Sequence, residues 1–250
     1  MAECAFCPHS GSLSLEHIIG RWSRPLFPKE NILRFTDSQG TVRVRRSAEI
    51  NWTARVVCAQ CNNTWMSRLE EEHAKPVITP LIAGDTALPI TPEVARSIAL
   101  FAFKTAVIVD HSNRHRPPFF AKADRYAFRE RQVMPVDVNM WMCGILRHRT
   151  RGNVLALYSS GEAQSSYPLR GYICTLALGH VAIQLVKFKQ LRNAKIHPLP
   201  GFDVRAVIFW PRVKEGLIWP FPDNLVNSSD VRGFAERWKS VSVEFPPPVL

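Results

Sequence analysis

No stretch of this sequence of 250 residues is apolar enough to cross a membrane. The longest run, Ile90 to Val109, is interrupted by Glu93, Arg96 and Lys104, and the run from Tyr172 to Val186 is too short and carries His180. The first residues, Met-Ala-Glu-Cys, have neither the basic nor the apolar part of an export signal, so the expected compartment is the cytoplasm. Nothing repeats at a fixed period, and low complexity is confined to Pro246-Pro247-Pro248. Also missing are a Gly-rich phosphate loop, a Ser nucleophile elbow and a His-Glu-x-x-His pair, which argues against P-loop, dinucleotide, serine-hydrolase and zincin chemistry. Acidic residues are scarce: 21 against 32 Lys and Arg, a formal charge of +11. Such an excess favours polyanionic partners, nucleic acid foremost. The imbalance lies mostly beyond residue 80, since residues 1–80 hold ten basic and eight acidic side chains.

Six cysteines are present, and four fall into two pairs, Cys4-x-x-Cys7 and Cys58-x-x-Cys61. In a reducing compartment paired thiols are better read as metal ligands than as disulfides. Each Cys-x-x-Cys turns two thiolates toward one ion, and two such knuckles complete a tetrahedral Cys4 site, which predicts a structural Zn²⁺. Cys143 and Cys174 lie in apolar runs and are expected in the core.

Between the knuckles, Ile32–Phe35 and Thr41–Arg45 read as two strands of a hairpin around the turn-rich run Thr36-Asp37-Ser38-Gln39-Gly40. A helix is expected from about Cys58 to Ala74, stopped by Pro76, with Trp65, Met66 and Leu69 inward and Arg68, Glu71 and Glu72 outward. A second helix follows Thr91, which caps it ahead of Pro92; Val94, Ile98, Phe101, Thr105 and Ile108 form its buried stripe. Strand-like runs follow at 138–146, 154–158, 172–178, 180–187 and 204–209, and a short helix at 229–238. A helix followed by strands predicts an α+β fold with an antiparallel sheet. The composition shift divides the chain into a zinc module, 1–80, and a basic α+β domain, 81–250.

Inside the zinc module, Glu16-His17-Ile18-Ile19 follows the first knuckle, and Cys58-Ala59-Gln60-Cys61-Asn62 opens the helix. An acid-His pair between two knuckles, the second ending in Asn, resembles the HNH endonucleases, the His-Me finger or ββα-metal family. The likeness covers residues 4–75, and the run Trp65-Met66-Ser67-Arg68-Leu69-Glu70 is similar to runs in bacterial and phage proteins of that kind. The resemblance implies a metal-dependent endonuclease acting on DNA. It makes His17 the general base, and Glu16 and Asn62, with Asn63 as the neighbouring alternative, ligands of a catalytic Mg²⁺ or Mn²⁺. Asn51 then takes the place of the Asn that orients the base, although it lies seven residues before Cys58. Where many relatives carry a His after the last knuckle cysteine, this chain has Asn62. The other reading is a non-catalytic zinc module that binds nucleic acid or a protein.

Basic clusters suited to a phosphate backbone are Arg43, Arg45 and Arg46; Arg114 and Arg116; Arg125, Arg129 and Arg131; Arg147, Arg149 and Arg151; and Lys187, Lys189, Arg192 and Lys195. The expected partner is double-stranded DNA, with a second copy of the chain or a regulatory protein as further possibilities for the C-terminal part.

Overall fold

The computed structural model describes residues 2–27, 31–36, 42–47, 51–113, 117–146, 154–160, 169–189, 195–198, 206–221, 225–227, 230–238 and 240–244. In chain order the strands before the first helix are β1 (Ser14–His17), β2 (Asn31–Thr36), β3 (Val42–Ser47) and β4 (Thr53–Val57). A helix over 59–83 (α1) follows, then β5 (Leu88–Pro89), α2 (Pro92–Ser112) and α3 (Lys122–Arg131). Four long strands come next, β6 (Val138–Leu146), β7 (Val154–Ser160), β8 (Arg170–Leu178) and β9 (Val181–Lys189). The chain continues with β10 (Lys195–Pro198), β11 (Val207–Trp210), β12 (Ile218–Trp219), β13 (Leu225–Asn227), α4 (Val231–Glu236) and β14 (Val241–Glu244). The fold is α+β.

The expected hairpin forms as β2–β3, but it belongs to the larger sheet. That eight-stranded sheet has the order β11-β6-β9-β8-β7-β2-β3, with β13 pairing parallel to the end of β6 on the same side as β11. Strand β2 runs parallel to β7, pairing Ile32 with Val154, so a segment between the two knuckles extends the C-terminal sheet. The knuckles themselves stay together because β1 pairs antiparallel with β4, Glu16 opposite Ala54 and His17 opposite Thr53.

Helix α2 is the axis of the molecule. Thr91 caps it, accepting a hydrogen bond from Val94 N at 3.3 Å, as the sequence predicts. Its central stretch, residues 98–110, is buried all round, because one side faces α1 and β4 and the other faces the sheet. On β8 the residues Tyr172, Cys174, Leu176 and Leu178 turn to this core. Ile173 and Ala177 turn to the opposite face, which α4 and Trp238 cover. A strand covered on both faces reads as a continuous apolar run. Cys143 and Cys174 are buried as expected, and burial pushes the Cys143 thiol up to about 12.

Three expectations are corrected. Helix α1 does not stop at Pro76; it continues to Ala83, where Gly84 at φ 72° ends it. The stretch Leu69–Ala74 is π-helical, with Lys75 N–H bonded to Glu70 O, so the ladder has already slipped by one residue where the proline lacks its donor. Between the second helix and the strand runs, where no element is expected, the chain forms α3, which has no capping side chain to mark its start. Two residues assigned to basic surface clusters are internal. Arg125 is buried and donates to the carbonyls of Ala5 and Phe120, and Lys187 is buried and paired with Asp124 and Asp137.

A tight turn joins β8 to β9, with Gly179 at φ 58°. The turn docks on the end of α1, where His180 N–H donates to Ile82 O at 3.1 Å. A Cβ on Gly179 would collide with that same carbonyl.

Candidate metal centre and adjoining cleft

The first knuckle is a small loop closed by Cys4 N–H to His9 O at 2.9 Å, and Ala5 N–H ties it to Val56 O of β4 at 2.8 Å. The second is the start of α1, where Cys58 is the N-cap and its sulfur accepts from Cys61 N–H at 3.5 Å. Cys58 N–H in turn donates to Cys4 Sγ at 3.3 Å. These bonds bring the four sulfurs of Cys4, Cys7, Cys58 and Cys61 within 4.8 Å of one another, all buried and none in a disulfide. Cys7 and Cys58 are 3.6 Å apart. A tetrahedral ion with Zn–S bonds of about 2.3 Å needs sulfurs about 3.8 Å apart, so the cluster can hold a metal ion such as zinc with little adjustment. A hydrogen bond from Cys61, assisted by the N–H groups of Phe6 and Cys58, holds Cys4 down at about 4, the thiolate form a metal takes.

Strand β1 leaves this centre and forms the wall of a cleft of about 520 Å³. Glu16, His17, Asn62 and Asn63 all line it, as do Gly20, Arg21, Trp22, Met66, Ser67, Glu70 and Glu71. The acid-His pair and the helix-start asparagines, distant in sequence, therefore meet. Asn62 donates from its amide nitrogen to Ser14 Oγ at 3.2 Å, and Ser14 donates to Val57 O at 3.0 Å. That chain fixes the amide and leaves its carbonyl oxygen for the cleft. Asn51 lies beside the His17 imidazole and favours its charged form, despite its distance from the second knuckle in sequence.

His17 is half-buried, and its Nε2 accepts from Arg21 Nε at 3.3 Å, with Arg24 Nη2 also at 3.3 Å. Burial first, then the charges of Arg21 and Arg24, hold the imidazole below its ordinary value, so it is neutral at pH 7.

Glu16 turns inward, as strand alternation requires of the neighbour of His17. Burial raises its carboxyl above the ordinary range, against the pull of Lys104. Lys104, from the middle of α2, has no exposed surface; its Nζ lies 2.5 Å from Glu70 Oε1 and 3.6 Å from Glu16 Oε1. Burial disfavours its charge, but Glu70 and Glu16 outweigh that, and Lys104 is held above its ordinary value. A Cβ on Gly20 would collide with Glu70 Oε2, so the glycine makes room for this carboxylate.

The sequence reading missed Glu70, Lys104, Arg21 and Arg24. Glu70 lies eight residues after Asn62, and regular α geometry would rotate it about 80° past two full turns. The π stretches Asn62–Met66 and Leu69–Ala74 widen the helix and keep both residues on the cleft. Lys104 did leave a signal, as a charge inside the buried central stretch of α2.

Other sequence-derived residues stand apart from the cleft. Arg43, Arg45 and Arg46 lie on β3, an edge strand of the large sheet, with side chains outside the described residues. Arg114, Arg116, Arg147, Arg149, Arg151 and Arg192 lie outside the described residues altogether. Among the described residues no helix is long and apolar enough to cross a membrane.

Compared with known families, curated proteins and solved structures, the chain matches none.

Proposed function

We propose that the chain is an HNH-type endonuclease that hydrolyses phosphodiester bonds in DNA, with zinc in the four-cysteine centre. One observation carries this reading: Glu16, His17 and Asn62 line a single cleft, with Asn51 beside the imidazole, and the strand pair β1–β4 and the helix start that present them are clamped by the cysteine cluster. Zinc there is structural, since four thiolates leave no open position.

His17 is the general base. Its neutral imidazole takes a proton from water, and the resulting hydroxide oxygen bonds to phosphorus. The bond from phosphorus to the 3′ oxygen breaks, its electron pair leaves with that oxygen, and solvent protonates it. The products are a 5′-phosphate and a 3′-hydroxyl. Asn51 keeps the imidazole oriented. Glu16 and Asn62 offer oxygen ligands, the donor set that Mg²⁺ or Mn²⁺ prefers. Such an ion, when bound, would stabilise the negative charge developing on the phosphate and the leaving oxygen.

The position of Lys104 favours a second reading, because its ammonium already engages Glu16. On that reading the cleft binds nucleic acid or a protein without cutting. The experiment that separates the two is incubation of supercoiled plasmid with Mg²⁺ or Mn²⁺, beside His17→Ala. Metal-dependent nicking lost in the variant supports the nuclease, and equal nicking by both proteins would remove His17 from the mechanism. No nicking by the wild type, with DNA still bound, favours the second reading.

A further inference from the structure

The face of the large sheet turned away from α2 carries a second cavity, of about 400 Å³. Strand alternation puts Asn139 and Trp141 of β6 beside Val186 and Phe188 of β9 on that face, and all four line the cavity. Trp238, just after α4, closes one side; its ring centroid lies 4.9 Å from that of Trp141 and 6.0 Å from that of Phe188. Strand β10 supplies the rim, with Lys195 and His197. Three aromatic rings thus border a space of the size small molecules occupy, about 300–1,000 Å³.

Behind this wall sits a positive charge with no acid to balance it. Arg237 is buried, its guanidinium packed over Trp141 at 5.1 Å, Trp238 at 5.6 Å and Phe234 at 4.8 Å. Its Nε donates to Gln184 Oε1 at 2.8 Å. Its Nη2 has no hydrogen-bond partner, and among the described residues no carboxylate acts on it. Arginine keeps its charge when buried, and a buried charge without a counter-ion is costly. On the rim, Lys195 is exposed and has no acidic partner among the described residues; Glu244, opposite it in register, reaches His197 at 3.4 Å instead. Asp137, the one acid lining the cavity, is engaged by Lys187. The cavity therefore combines flat apolar walls with two unmatched cations, which calls for a flat ligand that carries negative charge.

We propose that this cavity binds a nucleoside monophosphate, its base stacked on the aromatic wall and its phosphate at Lys195. Stacking on aromatic side chains holds any base by its face. The amide of Asn139 offers both a donor and an acceptor to the edge of the base. The phosphate neutralises Lys195 directly and offsets the charge of Arg237 across the rings, where little water screens it. Helix α2 and the sheet stand between this cavity and His17, so the site is separate from the cleft and does not depend on its chemistry.

The test is calorimetric titration of the full chain with AMP, GMP, CMP and UMP. At least one should bind, and Trp141→Ala should weaken it by about tenfold or more. Lys195→Glu, at an exposed position, should weaken it several-fold, and it keeps the test valid if Trp141→Ala does not fold. The matching nucleoside and inorganic phosphate, each carrying half of the ligand, should bind more weakly than the nucleotide. No binding of any of the four at millimolar concentration would overturn the proposal, as would affinity untouched by both variants. Loss of binding in His17→Ala would overturn it too, by placing the nucleotide in the cleft. A short single-stranded oligonucleotide that binds where no mononucleotide does would also overturn it, by assigning the aromatic wall to a nucleic-acid strand.

Discussion

Lys104 Nζ lies 2.5 Å from Glu70 Oε1, with no part of the lysine side chain exposed. The pair joins the central helix α2 to the helix that follows the second knuckle, and Glu16 completes it from β1. Two carboxylates thus share one ammonium. Removing the lysine would leave two facing negative charges, whereas removing Glu70 would leave a balanced pair. Lys104→Met should therefore cost about 3–5 kcal/mol of folding stability. Glu70→Gln should cost less, about 1.5 kcal/mol. The double variant should be more stable than the sum of the two losses predicts. Chemical denaturation measures all three, and equal losses for the two single variants would contradict the shared-ammonium arrangement.

Removal of one knuckle cysteine should unfold the module that carries the cleft. Purified wild type should contain about one zinc per chain, and Cys61→Ser should contain none and melt at lower temperature. Cys143→Ser, in the apolar core, should leave the zinc content unchanged. A metal-free wild type that stays folded would exclude the zinc assignment.

The imidazole of His17 is held below its ordinary value of 6.5 by burial first and by Arg21 and Arg24 next. Between the folded and unfolded values the unfolded chain binds more protons, so stability rises with pH through a window below 6.5 and is lost as pH falls through it. The acid limb of plasmid nicking should lie in the same window. Removing both arginines should move that limb upward only in part, because burial remains. Denaturation across this range with His17→Gln as reference checks the first statement; an acid limb above 6.5 would contradict the second.

Gly179 and Gly216 both adopt positive φ, at 58° and 71°, but in different surroundings. A methyl group on Gly216 meets nothing within 4 Å, whereas on Gly179 it meets the carbonyl of Ile82 at the end of α1. Gly216→Ala should cost about 1 kcal/mol from backbone conformation alone. Gly179→Ala should cost clearly more, because the β8–β9 turn must also move off α1. Thermal melts of the two variants compare them directly.

What the sequence determined by itself is the local chemistry. Four cysteines at knuckle spacing, Thr91 ahead of Pro92, the apolar stripe of α2 and the strand runs 138–146 and 172–178 each carry their signal within a few residues, and each is found in the fold. The Glu16-His17 pair and Asn62 stand out for the same reason, and the fold brings them to one cleft. The long-range relations were decided only in three dimensions. Hairpin β2–β3 reads as an insertion between the knuckles, yet it completes a sheet whose other strands begin only at Val138, because an edge strand accepts any partner whose register and twist fit. Asn51 reaches His17 because pairing of β1 with β4 cancels its separation along the chain. Lys104 and Glu70 meet because α2 packs against a π-widened stretch of α1, and a periodicity of 3.6 residues cannot anticipate where a helix departs from it. A buried charge announces that a partner exists; which residue answers it depends on packing between elements that local sequence does not encode.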